Sequence, residues 1–229
     1  MIRYLKNLRE DQKSGKKSIT STYVLMEFKR RVILSCILLY NIFREENGRA
    51  EAERRLSKEY SGRTVKMALK ILAKLDEGNV LDNEKILLRL RRYIRWQLMD
   101  WFMRDIELLL DETECELARE NVIEMEGDFT ANLRCNKKLC QRNLPAFLSR
   151  HVTEIKKIND MLKNEKEFSS LCSRLEKIIG DLESSKGEKT CWTLSDLIIC
   201  LELPEDARIY TTNVSHFEPI CRIANKKLF

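Results

Sequence analysis

Seven glycines and three prolines are all that punctuate 229 residues, about a third of the roughly 12% that the two contribute to an average chain. So few turn-formers leave long uninterrupted segments, and a chain of that kind folds mostly as helices. A β-sandwich, a collagen-like rod and a Gly-rich phosphate loop are all excluded by the same scarcity. With 43% hydrophobic and 34% charged residues, the chain has enough apolar side chains for a real core, which argues against disorder.

The charged residues are spread through the sequence, with 42 basic against 36 acidic and a net charge of +6. This mild excess permits phosphate-bearing partners without requiring them. The opening run MIRYLKNLREDQKSGKK has no apolar stretch of the signal-peptide kind. The longest uncharged run, Val32 to Phe43, is too short to span a bilayer. The expectation is a soluble, cytoplasmic protein with no membrane contact, whose eight cysteines are reduced.

Apolar spacing predicts the helices. Val24, Leu25, Phe28, Val32, Cys36, Leu39 and Phe43 step by three and four after the cap candidates Ser21 and Thr22, and the β-prone Ser18-Ile19-Thr20 precedes them. Further helices are expected at 49–60, 64–75, 83–111, 145–163 and 165–179, with 113–143 irregular. Thr193-Leu-Ser-Asp196 reads as the start of a helix ending near Leu203, with Asp196 completing a capping box. Arg208-Ile-Tyr-Thr211 reads as a buried strand, followed by a loop over 212–217 and a final strand. Cys36, Cys200 and Cys221 lie in apolar runs and are expected in the core.

The two ends of the chain carry the chemistry. TSTYVLMEFKRR and LSDLIICLELPEDARIYTTNVSHFEPI resemble the PIN-domain family of metal-dependent nucleases, which are built on a small Rossmann-like parallel sheet. Glu27 matches the family's helix Glu, Asp196 its later Asp, and Thr211-Thr212-Asn213 with Phe217 its Thr-x-Asp/Asn loop and aromatic, with Asn213 standing 17 residues after Asp196. The resemblance implies a strongly α-rich α/β fold. Residues 1–47 and 191–229 would be the two parts of the PIN-like domain, and 48–190 a large all-helical insertion. It also implies that Met1 stands where the helix after strand one begins, so that the first strand and its Asp, in a run like Asp-Thr-Asn-Val-Leu, are missing. The edges left by an absent central strand invite self-association.

By that resemblance the activity is Mg²⁺-dependent (or Mn²⁺-dependent) endoribonuclease chemistry. Glu27 and Asp196 would hold the metal, and Asn213 would position water or phosphate. RNA is the expected partner, with a protein inhibitor as a further one. The alternative is a non-catalytic RNA- or protein-binding module, or a purely helical scaffold, in which Glu27 pairs with Arg31 across one helical turn and Asp196 only caps a helix. Arg89, Arg92, Tyr93, Arg95 and Trp96 combine cations with stacking surfaces, the combination single-stranded nucleic acid rewards; the plain alternative is a solvated face. Cys115, Cys135, Cys140 and His151 form a weaker zinc alternative whose spacing is looser than the usual paired pattern.

Overall fold

A computed structural model describes residues 18–60, 62–76, 79–104, 106–115, 122–131, 143–185, 188–211 and 213–228. It divides the chain into two compact units. The first is built on residues 25–108 and 120–133 with Ser18, and the second on residues 19–24, 109–119 and 134–229. Residues 143–185, placed in the inserted segment by the sequence, belong to the same unit as the C-terminal residues.

The apolar stripe beginning near Val24 forms helix α1, which runs Thr22–Phe28, widens into a π turn over Lys29–Ile33 and continues as Leu34–Glu45, and which belongs to the first unit from Leu25 on. Helices α2 (Arg49–Glu59), α3 (Gly62–Asp76) and α4 (Asn83–Arg92, a π turn over Tyr93–Gln97, then Leu98–Met103) complete the set. Their apolar faces meet in one core, with Leu39, Phe43, Leu56, Leu72, Leu75, Ile86 and Leu90 sealed from solvent. Polar residues fix the connections. Asp82 caps α4 by accepting from the Lys85 N–H at 2.9 Å, and Asn83 Nδ2 donates to the Phe43 carbonyl at 3.0 Å. Arg49 grips Asp76 through two hydrogen bonds of 2.9 Å, and this holds the Asp76 carboxyl below its usual range.

Residues 113–143, expected to be irregular, include an antiparallel hairpin of β3 (Ile123–Met125) and β4 (Asp128–Thr130). Strands β1 (Ile19–Ser21) and β2 (Leu108–Leu110) pair elsewhere. The hairpin turn Glu126-Gly127 has φ of +51° and +83°, the left-handed pair that a two-residue connection needs and that glycine supplies without strain. Phe129 anchors the hairpin. It is 1% exposed and meets Tyr40 edge-on, with ring centroids 4.9 Å apart.

In the second unit β1 is paired with β2, and helices α5 (Asn143–Arg150), α6 (Val152–Leu162), α7 (Ser169–Gly180), α8 (Glu188–Glu202) and α9 (Val214–Ile223) follow. A short 3-10 turn over Lys166–Phe168 precedes α7. The expected helix 145–163 is two helices broken at His151, and the expected helix 83–111 stops at Met103 because Leu108 turns into β2. The last stretch is α/β in form. Strand β5 (Arg208–Ile209), α9 and β6 (Lys227–Leu228) make a parallel β-α-β unit. The protein is thus an α-rich α/β chain with small sheets, and Cys36, Cys200 and Cys221 are buried as expected. Among the described residues no helix is long and apolar enough to cross a membrane.

Replacing Phe129 with Ala empties a sealed site, and is expected to cost about 3–5 kcal/mol. Met125→Ala on the exposed side of the same hairpin is expected to stay within about 0.5 kcal/mol. Urea unfolding of the two variants checks this, and equal losses would mean the hairpin is not anchored through Phe129.

Candidate functional site

Helix α8 starts at Glu188, five residues before the Thr193 from which the sequence places it. The capping-box reading of Asp196 is therefore corrected. Asp196 lies inside the helix, where the N–H groups of a first turn are not there for it to cap, and its carboxylate reaches sideways.

What it reaches is the segment after β5. Thr211 Oγ1 accepts from the Asn213 N–H at 3.0 Å, which folds the chain into a tight turn. The Asn213 carbonyl then accepts from His216 and Phe217 N–H at 3.2 and 3.1 Å, opening α9. The segment that the sequence read as a loop through 217 is thus already helix from Val214. Phe217, 6% exposed, pins this start into the core. With the backbone so fixed, Asn213 Nδ2 donates to Asp196 Oδ2 at 3.4 Å, and His216 Nδ1 lies 3.3 Å from the same oxygen. The other ring nitrogen of His216 faces Glu167 Oε1 at 3.2 Å, and the Phe168 ring lies 5.8 Å from the imidazole. Asp196 is 28% exposed, so the cluster opens to solvent.

The structure thus brings Asp196 and Asn213 together. Glu27 is exposed on α1 in the first unit, where its Oε1 takes a 2.7 Å ion pair from Arg31, the pairing the plain reading foresaw. Asp196 and Glu167 approach opposite nitrogens of one imidazole, so their oxygens do not converge. Among the described residues no three His, Cys, Asp or Glu side chains are assembled for a metal ion. The donor set that remains, one carboxylate beside one amide, fits only a Mg²⁺ or Mn²⁺ ion that keeps most of its waters. For the zinc alternative, Cys115 and His151 are half-buried in the second unit, and Cys135 and Cys140 lie outside the described residues. His151 leans on Phe147 with ring centroids 4.7 Å apart, and burial lowers its pKa.

The basic face of α4 is largely occupied by the chain's own groups. Arg91 and Arg95 both bind Glu124 of the unforeseen hairpin, at 2.8 and 2.6 Å, and Arg95 with Arg91 holds the Glu124 carboxyl below its usual range. Arg89 donates to the Leu75 carbonyl. Arg92 is exposed, Trp96 is 57% exposed and Tyr93 is half-buried.

A second polar cluster of the second unit had no signal in the sequence, since its members lie far apart along the chain. Ser21 Oγ donates to Glu202 Oε2 at 2.6 Å, and the Tyr23 N–H donates to Ser21 Oγ at 3.2 Å. Glu202 is 4% exposed and its Oε1 is buried without a hydrogen bond. Burial pushes its carboxyl up to about 7; the Ser21 hydroxyl pulls the other way, and the Glu112 and Asp111 carboxylates add to the rise.

Compared with protein-family models, curated proteins and solved structures, the chain matches none.

Glu202 gives the second unit a definite pH dependence. Its folded pKa lies above the unfolded value, so between about pH 4.5 and 7 the folded state holds the proton that the unfolded state has released. Stability therefore falls as pH rises through that window, by on the order of 3 kcal/mol, and levels off above it. Glu202→Gln keeps the Ser21 hydrogen bond and is expected to flatten the slope and raise stability at pH 8. Urea unfolding at a series of pH values measures it, and an unchanged slope in the variant would remove Glu202 from the account.

Proposed function

We propose that the protein is a PIN-like, RNA-directed endoribonuclease in reduced form, with the Asp196, Asn213 and His216 cluster as its working site. One observation carries the reading: Asp196 and Asn213, the two residues that the resemblance places in the C-terminal part, touch beside the turn that leaves parallel strand β5. Crevices beyond the carboxyl ends of parallel strands are where open α/β sheets take their ligands. Asp196 would hold Mg²⁺ or Mn²⁺ as the one carboxylate ligand, most of the ion's remaining positions being water. Such an ion lowers the pKa of a bound water and offsets phosphate charge.

The chain's own groups have separate parts in this reading. Asn213 keeps the Asp196 carboxylate in one orientation, and its amide can turn a donor or an acceptor toward a phosphate or a water. His216, linked to Asp196 and Glu167, can carry a proton at either ring nitrogen. Phe217 fixes the loop on which both depend.

The second reading, a module that binds RNA without cutting it, is favoured by the partners already taken. Glu27 is engaged by Arg31, and Arg91 and Arg95 by Glu124. Under that reading Trp96 and Arg92 are the accessible contact points on α4.

Cleavage of single-stranded RNA with Mg²⁺ and Mn²⁺ separates the two readings. Weak cleavage that drops at least about tenfold in Asp196→Asn supports the nuclease; cleavage that survives the substitution contradicts it. Binding without cleavage selects the second reading. In that case Trp96→Ala is expected to weaken binding by about 1–3 kcal/mol, and Arg92→Ala to lower the salt slope by no more than about one unit.

A further inference from the structure

Helices α8 and α9 meet through a pair of thiols. Cys200 Sγ and Cys221 Sγ are 3.3 Å apart, with Cys200 0% and Cys221 1% exposed. A disulfide bond is about 2.05 Å long, so the two sulfurs are already in van der Waals contact and need only a small further approach. Cys200 lies one helical turn after Asp196, on α8, and Cys221 lies on α9, the helix that Asn213 opens and that carries His216. A bond between these sulfurs would join the two elements whose mutual position sets the Asp196, Asn213 and His216 contacts.

The surroundings favour one order of events. Cys200 and Cys221 share a hydrogen bond; it pushes the Cys200 thiol up, with burial acting in the same direction, and it holds the Cys221 thiol down against the opposing effect of burial. The Lys226 ammonium, fixed by donation to the Leu203 carbonyl at 2.6 Å, also favours a thiolate at Cys221.

We propose that Cys200 and Cys221 are a redox modification site, closed to an intrachain disulfide by a low-molecular-weight organic disulfide, and that the closed form staples α8 to α9. The Cys221 thiolate attacks one sulfur of the organic disulfide, forming a mixed disulfide and expelling one thiolate. Cys200 then loses its proton to that leaving thiolate and attacks the Cys221 sulfur, and the second small thiolate departs and takes up from solvent the proton that Cys221 released on ionising. The two protein thiols are oxidised by two electrons and the organic disulfide is reduced to two thiols. Because both sulfurs are sealed, the exchange runs through transient opening of α9 and is slow at low temperature. The proposal does not rest on the nuclease reading.

The test is incubation of the full chain in oxidised and reduced glutathione for hours, at temperatures up to the foot of the unfolding transition, followed by non-reducing peptide mapping. The expected product is lighter by two hydrogen atoms, links the Cys200 and Cys221 peptides, and has a Tm higher by about 5–10 °C that returns to its starting value with dithiothreitol. Absence of that linked peptide, or linkage with an unchanged or lowered Tm, overturns the proposal. Cys221→Ser is expected to lose both the link and the shift, and an equal shift in the variant overturns it as well. Mapping of the unsubstituted chain decides the matter even if the variant does not fold.

Discussion

Asp196 Oδ2 is the atom on which the C-terminal architecture turns. It is shared by the Asn213 amide and the His216 ring, and both come from the ten residues that follow β5. That sharing requires α8 to begin before Thr193, so that Asp196 projects from the body of a helix; it requires the Thr211 hydroxyl to bend the chain at Asn213; and it requires Phe217 to hold the start of α9 in the core. The cluster is made by backbone placement, and the side-chain contacts at 3.2–3.4 Å are its readout.

The two units handle charge in different ways. In the first, cations are matched at the surface: Arg49 with Asp76, Arg55 with Glu45, Glu46 and Glu59, and Arg91 and Arg95 with Glu124. Such pairs orient helices more than they stabilise them. The second unit also pairs charges at its surface, Arg150 with Glu112 among them, and in addition it buries a carboxyl, Glu202, beside a serine hydroxyl. Its cost is met by keeping the proton, which is why stability there is tied to pH. This contrast bears on function, because matched surface cations leave little free positive charge for a nucleic acid on α4.

Much of the fold was legible in the sequence. The three-and-four spacing of Cys36, Leu39 and Phe43 identifies residues that are in fact sealed, and the strands expected after Pro204 are present as β5 and β6, with helix α9 between them where the sequence reads a loop. Boundaries were less legible. Lys189 and Thr190 look polar, yet α8 takes them in because Thr190 and Cys191 are buried, a tertiary preference that local propensity does not carry. The β3-β4 hairpin escapes because Glu126-Gly127 is a weak turn signal, and its Glu124 claims Arg95, which the sequence offers to RNA, together with the neighbouring Arg91. Within the site, the spacing from Asp196 to Asn213 was informative. The part of Glu167 was not, because nothing local links a residue of the 3-10 turn before α7 to a histidine at the start of α9.

The claim that most needs a direct measurement is that Asp196 is the centre of the working site. Titrating the full chain with Mn²⁺ while recording backbone amide signals tests it without relying on activity. The account predicts selective broadening of the Asp196, Thr211 and Asn213–His216 amides, lost in Asp196→Asn. Broadening that is uniform, centred elsewhere, or unchanged by that substitution would contradict it.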